Sequence, residues 1–206
     1  MSTTACSNLT KGRQLQCDRI AGGIKNVYFG VYDDFDANAG TGEILGTGII
    51  ITGTAPNQEV TDINMASGSA LRRYTLPRGE SSFTETIVGS TENGTVHYTP
   101  QITIKLNHLS TADQNELKLL STVKLVIFAE LNQLNASGKN IILCMCIRNG
   151  MRLNSGTNLS GAGFGDHNGY SWTFDGMEED TTQVVADYTT VPFDNSAFAN
   201  VTVDIS

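Results

Sequence analysis

Residues 95 to 106, TVHYTPQITIKL, place Val96, Tyr98, Ile102, Ile104 and Leu106 on one parity and Thr95, His97, Thr99, Gln101, Thr103 and Lys105 on the other. Side chains leave a β-strand on alternate faces, so this stretch predicts a strand with one face on a core and the other in water. Such a strand needs neighbours, and the sequence supplies one. Glu92-Asn93-Gly94 offers the positive φ of a tight hairpin turn, which returns the chain from a second strand, SSFTETIVG at 81 to 89. Pro100 has no N–H to donate to a ladder, which predicts that its strand lies at an edge or carries a bulge.

More strands surround this hairpin. GIKNVYFGVY, 23 to 32, puts Val27, Phe29 and Val31 on one face, and LRRYTLP follows at 71 to 77. VKLVIFAEL and KNIILCMCIR flank a turn at Asn135 to Lys139 and read as paired central strands, the second apolar on both faces. GYSWTFDG presents Tyr170, Trp172 and Phe174 together, and AFANVTVDI presents Val201, Val203 and Ile205. The single helix expected is LSTADQNELKLLST, 109 to 122, capped by Ser110 with Asp113 and striped by Leu109, Leu117 and Leu120. Residues 1 to 20 read as a polar N-terminal arm, and 33 to 70 as a long loop around the run GTGIIIT, with room for one strand within 53 to 70. No composition shift divides the 206 residues, so one domain is expected.

Composition narrows the class. Charged residues make up 17% of the chain, while Gly, Ser, Thr and Asn abound, which favours β structure over helix. A net charge of −8 argues against general attraction to nucleic-acid phosphates or anionic lipid. The longest apolar run, IILCMCI at 141 to 147, is too short to span a bilayer, so no membrane partner is expected. Cys144 and Cys146 read as neighbours on one strand face, a poor geometry for bridging each other, and reduced thiols are expected.

The chemical motifs fail in context. GTNLSGAGFGDHNGYSWTFDGMEED, 156 to 180, begins with the glycine spacing of a phosphate loop, yet Ala162 and Gly163 stand where Lys and Ser or Thr are needed. A strand follows where a pyrophosphate would need a helix N-terminus, so these glycines are expected to serve a tight crossing between strands. Asp34, Asp36 and Asn38 alternate as in a calcium loop, but Ala39 and Leu45 occupy its glycine and glutamate positions. His97, His108 and His167 are isolated, and Cys144-x-Cys146 lacks zinc spacing. No catalytic residue, metal, cofactor or small-molecule substrate is expected. An enzyme built on His97 or Asp166, and a carbohydrate-binding β-sandwich using Trp172 or Tyr170 as a stacking platform, stand as rival classes.

Several segments taken in order resemble the major tail tube proteins of tailed bacteriophages, especially those infecting Bacteroidota. They are CDRIAGGIKNVYF, YTLPRGESSFTETI, ENGTVHYTPQITIKLNHLS, and the stretch from LVIFAELNQLNASGKN through GDHNGYSWTFDGMEED. The resemblance implies a mainly β fold: a β-sandwich or partly rolled barrel with one flanking α-helix. It further implies a homohexameric ring whose subunits share strands in a continuous inner barrel. Such rings stack into the virion tail tube that conducts DNA during ejection, assembled in the bacterial host's cytoplasm with other tail proteins. A tail terminator, hub, adaptor or ring protein of a short-tailed phage is the nearest alternative.

Under that resemblance the acidic balance suits a conduit that DNA crosses without sticking. Glu85, Asp166, Asp175, Glu178, Glu179 and Asp180 are the candidates for the lumen or the ring-to-ring surfaces. Residues 33 to 70 are the expected stacking arm, and deleting 54 to 68 is expected to leave rings that do not stack.

Overall fold

A computed structural model describes residues 20–35, 48–53, 57–198 and 200–205. Its strands run in chain order as β1 (Ile24–Val31), β2 (Ile49–Thr52), β3 (Glu59–Ile63), β4 (Leu71–Thr75), β5 (Ser82–Ser90) and β6 (Thr95–Asn107). The helix α1 (Thr111–Leu120) follows, then β7 (Leu125–Leu134), β8 (Asn140–Met145), β9 (Arg152–Leu159), β10 (Gly169–Asp175), β11 (Gln183–Val184) and β12 (Val203–Asp204). They form three open sheets: a six-stranded one ordered β11-β8-β7-β1-β4-β12, a four-stranded one ordered β5-β6-β10-β9, and the β2–β3 hairpin. The fold is mainly β with one α-helix among the described residues, and none of the sheets closes into a barrel.

The alternation in β6 is realised against the first core. Ile102 and Ile104 are fully buried between the four-stranded and six-stranded sheets, with Tyr170, Trp172 and Phe174 of β10 beside them. Val27, Phe29, Ile127 and Met145 come from the facing sheet, and the Phe29 and Phe174 rings meet across the gap at 5.1 Å between centroids. Burial of each such side chain contributes about 1.5–3 kcal/mol to holding the two sheets together. The helix closes one side of it. Ser110 Oγ accepts the Asp113 N–H at 3.1 Å, and the Tyr170 hydroxyl is bonded to both the N–H and the carbonyl of Ser110. Leu120 is buried and Leu109 and Leu117 pack on the same core, as their spacing predicts.

The six-stranded sheet is buried on its other face as well. Tyr28, Val126, Phe128, Ile142 and Cys144 point into a second core, completed by Ile49, Val60, Ile63, Met65, Val185, Phe193 and Phe198. The long connection expected over 33 to 70 does hold a strand within 53 to 70, β3, but with β2 it is packed on the second core rather than running as a free loop. The β2–β3 hairpin and Met65 are a third layer of the fold, because Ile49, Val60 and Ile63 have no solvent exposure. Deleting 54 to 68 would remove Val60, Ile63 and Met65 from this core, so the deletion is expected to cost stability as well as any effect on stacking. The expected N-terminal arm up to residue 19, and 36–47 with Asp36 and Asn38 of the calcium-like pattern, lie outside the described residues.

Three further expectations change. β6 is an interior strand, flanked by β5 and β10, so Pro100 is not at an edge. Its missing N–H falls on the β10 side, where the regular strand has ended and only the Gly176 N–H donates to the Pro100 carbonyl. Cys144 and Cys146 lie on opposite faces: β8 ends at Met145, Cys146 turns at φ 54°, and its thiol enters the first core while Cys144 enters the second. The final strand shrinks to β12, paired parallel to β4, with Val201 and Val203 on the second core and Ile205 exposed.

The glycine-rich stretch is half strand and half hairpin loop. Gly156 lies inside β9, opposite Trp172, and a Cβ there would stand 3.1 Å from the indole ring. Gly169 opens β10 so close to β6 that a Cβ would overlap the Leu106 carbonyl oxygen and stand 2.9 Å from its carbon.

Candidate functional site

The four-stranded sheet presents one face to the first core and the other to solvent, and the outward face is built from hydroxyls. Thr84 and Thr86 of β5, Thr99 and Thr103 of β6, Ser171 and Thr173 of β10 and Thr157 of β9 share it by register. Thr103 and Thr173 are joined across the strands, Oγ1 to Oγ1 at 3.1 Å. Ionisable groups on this face are sparse: His97, Lys105, Asp175 and its register partner Arg152.

Among the described residues, no strand pairs with the outer side of either margin of this sheet. β5 has nine residues and β9 eight, and each is exposed along most of its length. Main-chain groups alternate sides along an antiparallel strand, and the Tyr98 bonds to Glu178 fix the phase. By that phase the N–H groups of Phe83, Glu85, Ile87 and Gly89 on β5, and of Gly156 and Asn158 on β9, point outward from the sheet. Folded proteins usually guard such edges with lysines, prolines or strong bulges. Here the guards are few: β5 carries neither Lys nor Pro, and β9 carries one register shift opposite Thr173/Phe174 and one cation, Arg152.

The six acidic candidates divide by environment. Glu178 is 5% exposed, and its Oε1 accepts the N–H groups of Arg148 and Asn149 at 3.0 and 2.7 Å. It is an internal tie for the turn after β8, which corrects its expected place on a lumen or ring surface. Burial pushes its carboxyl above the ordinary range, opposed by those two main-chain bonds and by the Arg148 guanidinium. Glu85 is half-buried and accepts from the Thr182 N–H and the Thr181 and Thr182 hydroxyls, so it ties β5 to the segment before β11. Asp175 lies on the hydroxyl face and accepts from Asn154 Nδ2 at 2.6 Å. Asp180 is exposed and 3.2 Å from Arg148, and Glu179 is exposed beside it.

Asp166 organises the β9–β10 loop. Its Oδ2 accepts the Ala162 and Gly163 N–H groups at 3.0 and 2.7 Å, which lowers its carboxyl below the usual aspartate range. With Gly161 at φ 70°, this clamp leaves Phe164 wholly in solvent at the loop tip. Asp166 stands at one end of the sheet, and Glu179 and Asp180 follow β10 at the other.

Other expected residues find structural places. Tyr170 and Trp172 are fully buried, which removes the stacking platform of a carbohydrate-binding module. His97 lies near the start of the 13-residue β6 and Asp166 in the β9–β10 loop beyond its other end, about 30 Å away at a strand's rise, so the two form no joint site. Among the described residues no three His, Cys, Asp or Glu gather as a metal site, and no helix is long and apolar enough to cross a membrane. The sequence reading missed Phe164, whose only signal is a lone aromatic among glycines. It also missed the buried Glu130, which accepts from Lys25, Asn26 and Tyr28 at 2.9, 2.6 and 2.9 Å.

Among the described residues these features define a three-layered, mainly β fold with one α-helix and a four-stranded sheet unpaired at both margins. No protein-family model, no curated protein and no solved structure matches the chain.

Proposed function

We propose that the chain is the subunit of a phage tail tube, forming hexameric rings that stack into a conduit for DNA in the virion tail. The observation that carries this reading is the pair of sparsely guarded edges, β5 and β9, on one antiparallel sheet. The sheet has an even number of alternating strands, so a copy rotated about a ring axis brings its β5 antiparallel to the β9 of its neighbour. The same core-facing and solvent-facing sides are then kept around the ring. Pairing in this way satisfies the outward N–H groups and removes both edges, as closure does in any barrel.

Six copies give twenty-four strands. At about 4.8 Å between strands and a tilt of about 40°, the backbone circle is about 48 Å across, leaving a bore of about 35–40 Å once side chains are counted. That is room for a hydrated double helix. The wall of such a bore is the Ser/Thr face, which revises the expected acidic lumen. A hydroxyl wall with few cations makes few phosphate contacts, so little counterion release holds the DNA in place. The exposed acids Asp166, Glu179 and Asp180 stand at the two ends of the sheet, where ring-to-ring surfaces lie. Assembly in the host cytoplasm and contact with other tail proteins belong to the same proposal.

Negative-stain electron microscopy of the chain expressed alone tests it. Rings with a central hole, or tubes, are expected. Stable monomers at high concentration would overturn the reading, and single rings that never stack would move it to a terminator, hub or adaptor position.

A further inference from the structure

We propose that Phe164 is an assembly knob that inserts into a groove beside β5 of the neighbouring copy; this rests on the ring reading above. The groove, about 480 Å³, lies where the start of β5 meets the start of β1 and the end of β7. Phe83 and Leu131 give it apolar walls, Gly22, Gly23 and Gly79 leave it open, and Ser81 is a buried polar residue in its lining. It is larger than one aromatic side chain needs.

Register places knob and groove at the same end of the mating edges. Leu159, the last residue of β9, is level with Gly169 and Asn107, and Ser82, the first of β5, is level with Thr103, four residues back along β6. The β9–β10 loop and the start of β5 therefore share one end of the sheet. When β9 of one copy pairs antiparallel with β5 of the next, the loop tip of the first meets the groove of the second.

The loop is built to present its tip. The Asp166 carboxylate holds Ala162 and Gly163 from within, and the Asp166 N–H donates to the Gly163 carbonyl at 3.1 Å. Phe164 is then an exposed aromatic on a preorganised turn, so docking it loses little conformational entropy and removes a large apolar surface from water. A second copy is the occupant because it alone presents both the edge strand and the knob in the required order.

The test uses the full chain with the photoreactive analogue p-benzoylphenylalanine at position 164, assembled and irradiated. The expected products are cross-links from residue 164 of one chain to 22–24, 79–83 or 131–133 of another. Gly22→Phe fills the groove; position 22 has open space around a Cβ and no positive φ, so the chain should fold and fail to form rings. Phe164→Ala should raise the concentration needed for ring formation at least about tenfold. Rings whose cross-links fall within one chain, on residues 1–19 or on another ring, or rings unaffected by Gly22→Phe, overturn the knob while leaving the ring reading intact. An unmodified chain that forms no rings overturns both.

Discussion

Tyr98 and Glu178 exchange both of their main-chain hydrogen bonds, N–H to carbonyl at 2.8 Å in each direction. This bridge extends the β6–β10 register beyond the end of β10, past Pro100, and turns the Glu178 side chain inward onto the turn after β8. A carboxylate in an acidic run, EED at 178 to 180, thereby becomes a buried cap. Glu178→Ala leaves the Arg148 and Asn149 N–H groups without their acceptor and should cost about 1–3 kcal/mol in urea unfolding. Glu178→Gln keeps an oxygen at that position and should cost less than half as much; equal losses would contradict the capping role.

Gly169 is fixed by its neighbour rather than by its own conformation alone. A methyl group there overlaps the Leu106 carbonyl, so β10 cannot stay paired to β6 at its first rung. Gly169→Ala should destabilise the chain by about 1–3 kcal/mol, read as a drop of several degrees in melting temperature. An unchanged melting temperature would show that the strand shifts at no cost.

Ile87 separates folding from assembly. Its side chain is 67% exposed, and its N–H points away from β6 along the free edge. Proline is tolerated on an edge strand where the N–H faces outward. Ile87→Pro should leave the circular dichroism spectrum of the monomer intact and abolish rings in the electron microscope. Rings that survive would argue that β5 does not pair with another copy.

Two carboxyls should titrate in opposite senses. Burial raises Glu178, so the folded chain takes up that proton more readily than the unfolded chain. Its ionisation costs stability, and the cost is relieved as pH falls through its raised midpoint, which lies above the ordinary glutamate range. Asp166 is lowered by the Gly163 and Ala162 N–H groups. Its contribution is complete above the ordinary aspartate value of about 3.9 and is lost as pH falls through the depressed one. Carbon-13 NMR titration should give a Glu178 midpoint above its ordinary value and an Asp166 midpoint below; the reverse order would contradict both assignments.

The strands whose periodicity is complete were legible in the sequence. β6, the Asn93-Gly94 hairpin and α1 with its Ser110 cap follow from alternation, turn chemistry and capping, all of which act over a few residues. The β2–β3 layer was obscured because its apolar runs are short and sit among glycines and polar residues, and only the second core reveals what they cover. Cys146 escaped because one turn at positive φ reverses the face that alternation assigns. The roles of Glu85 and Glu178 escaped because their donors are distant in sequence: Thr182 is 97 residues from Glu85, and Asn149 is 29 from Glu178. Charge is visible in a sequence, but its partner is not.

Amide hydrogen exchange, followed residue by residue at assembling concentration and after dilution, measures the shared edge itself. The account predicts that Glu85, Ile87, Gly156 and Asn158, whose N–H groups face outward in the single chain, become protected when the chain assembles and exchange freely on dilution. Fast exchange at these four positions in intact rings would contradict the pairing of β5 with β9 between copies.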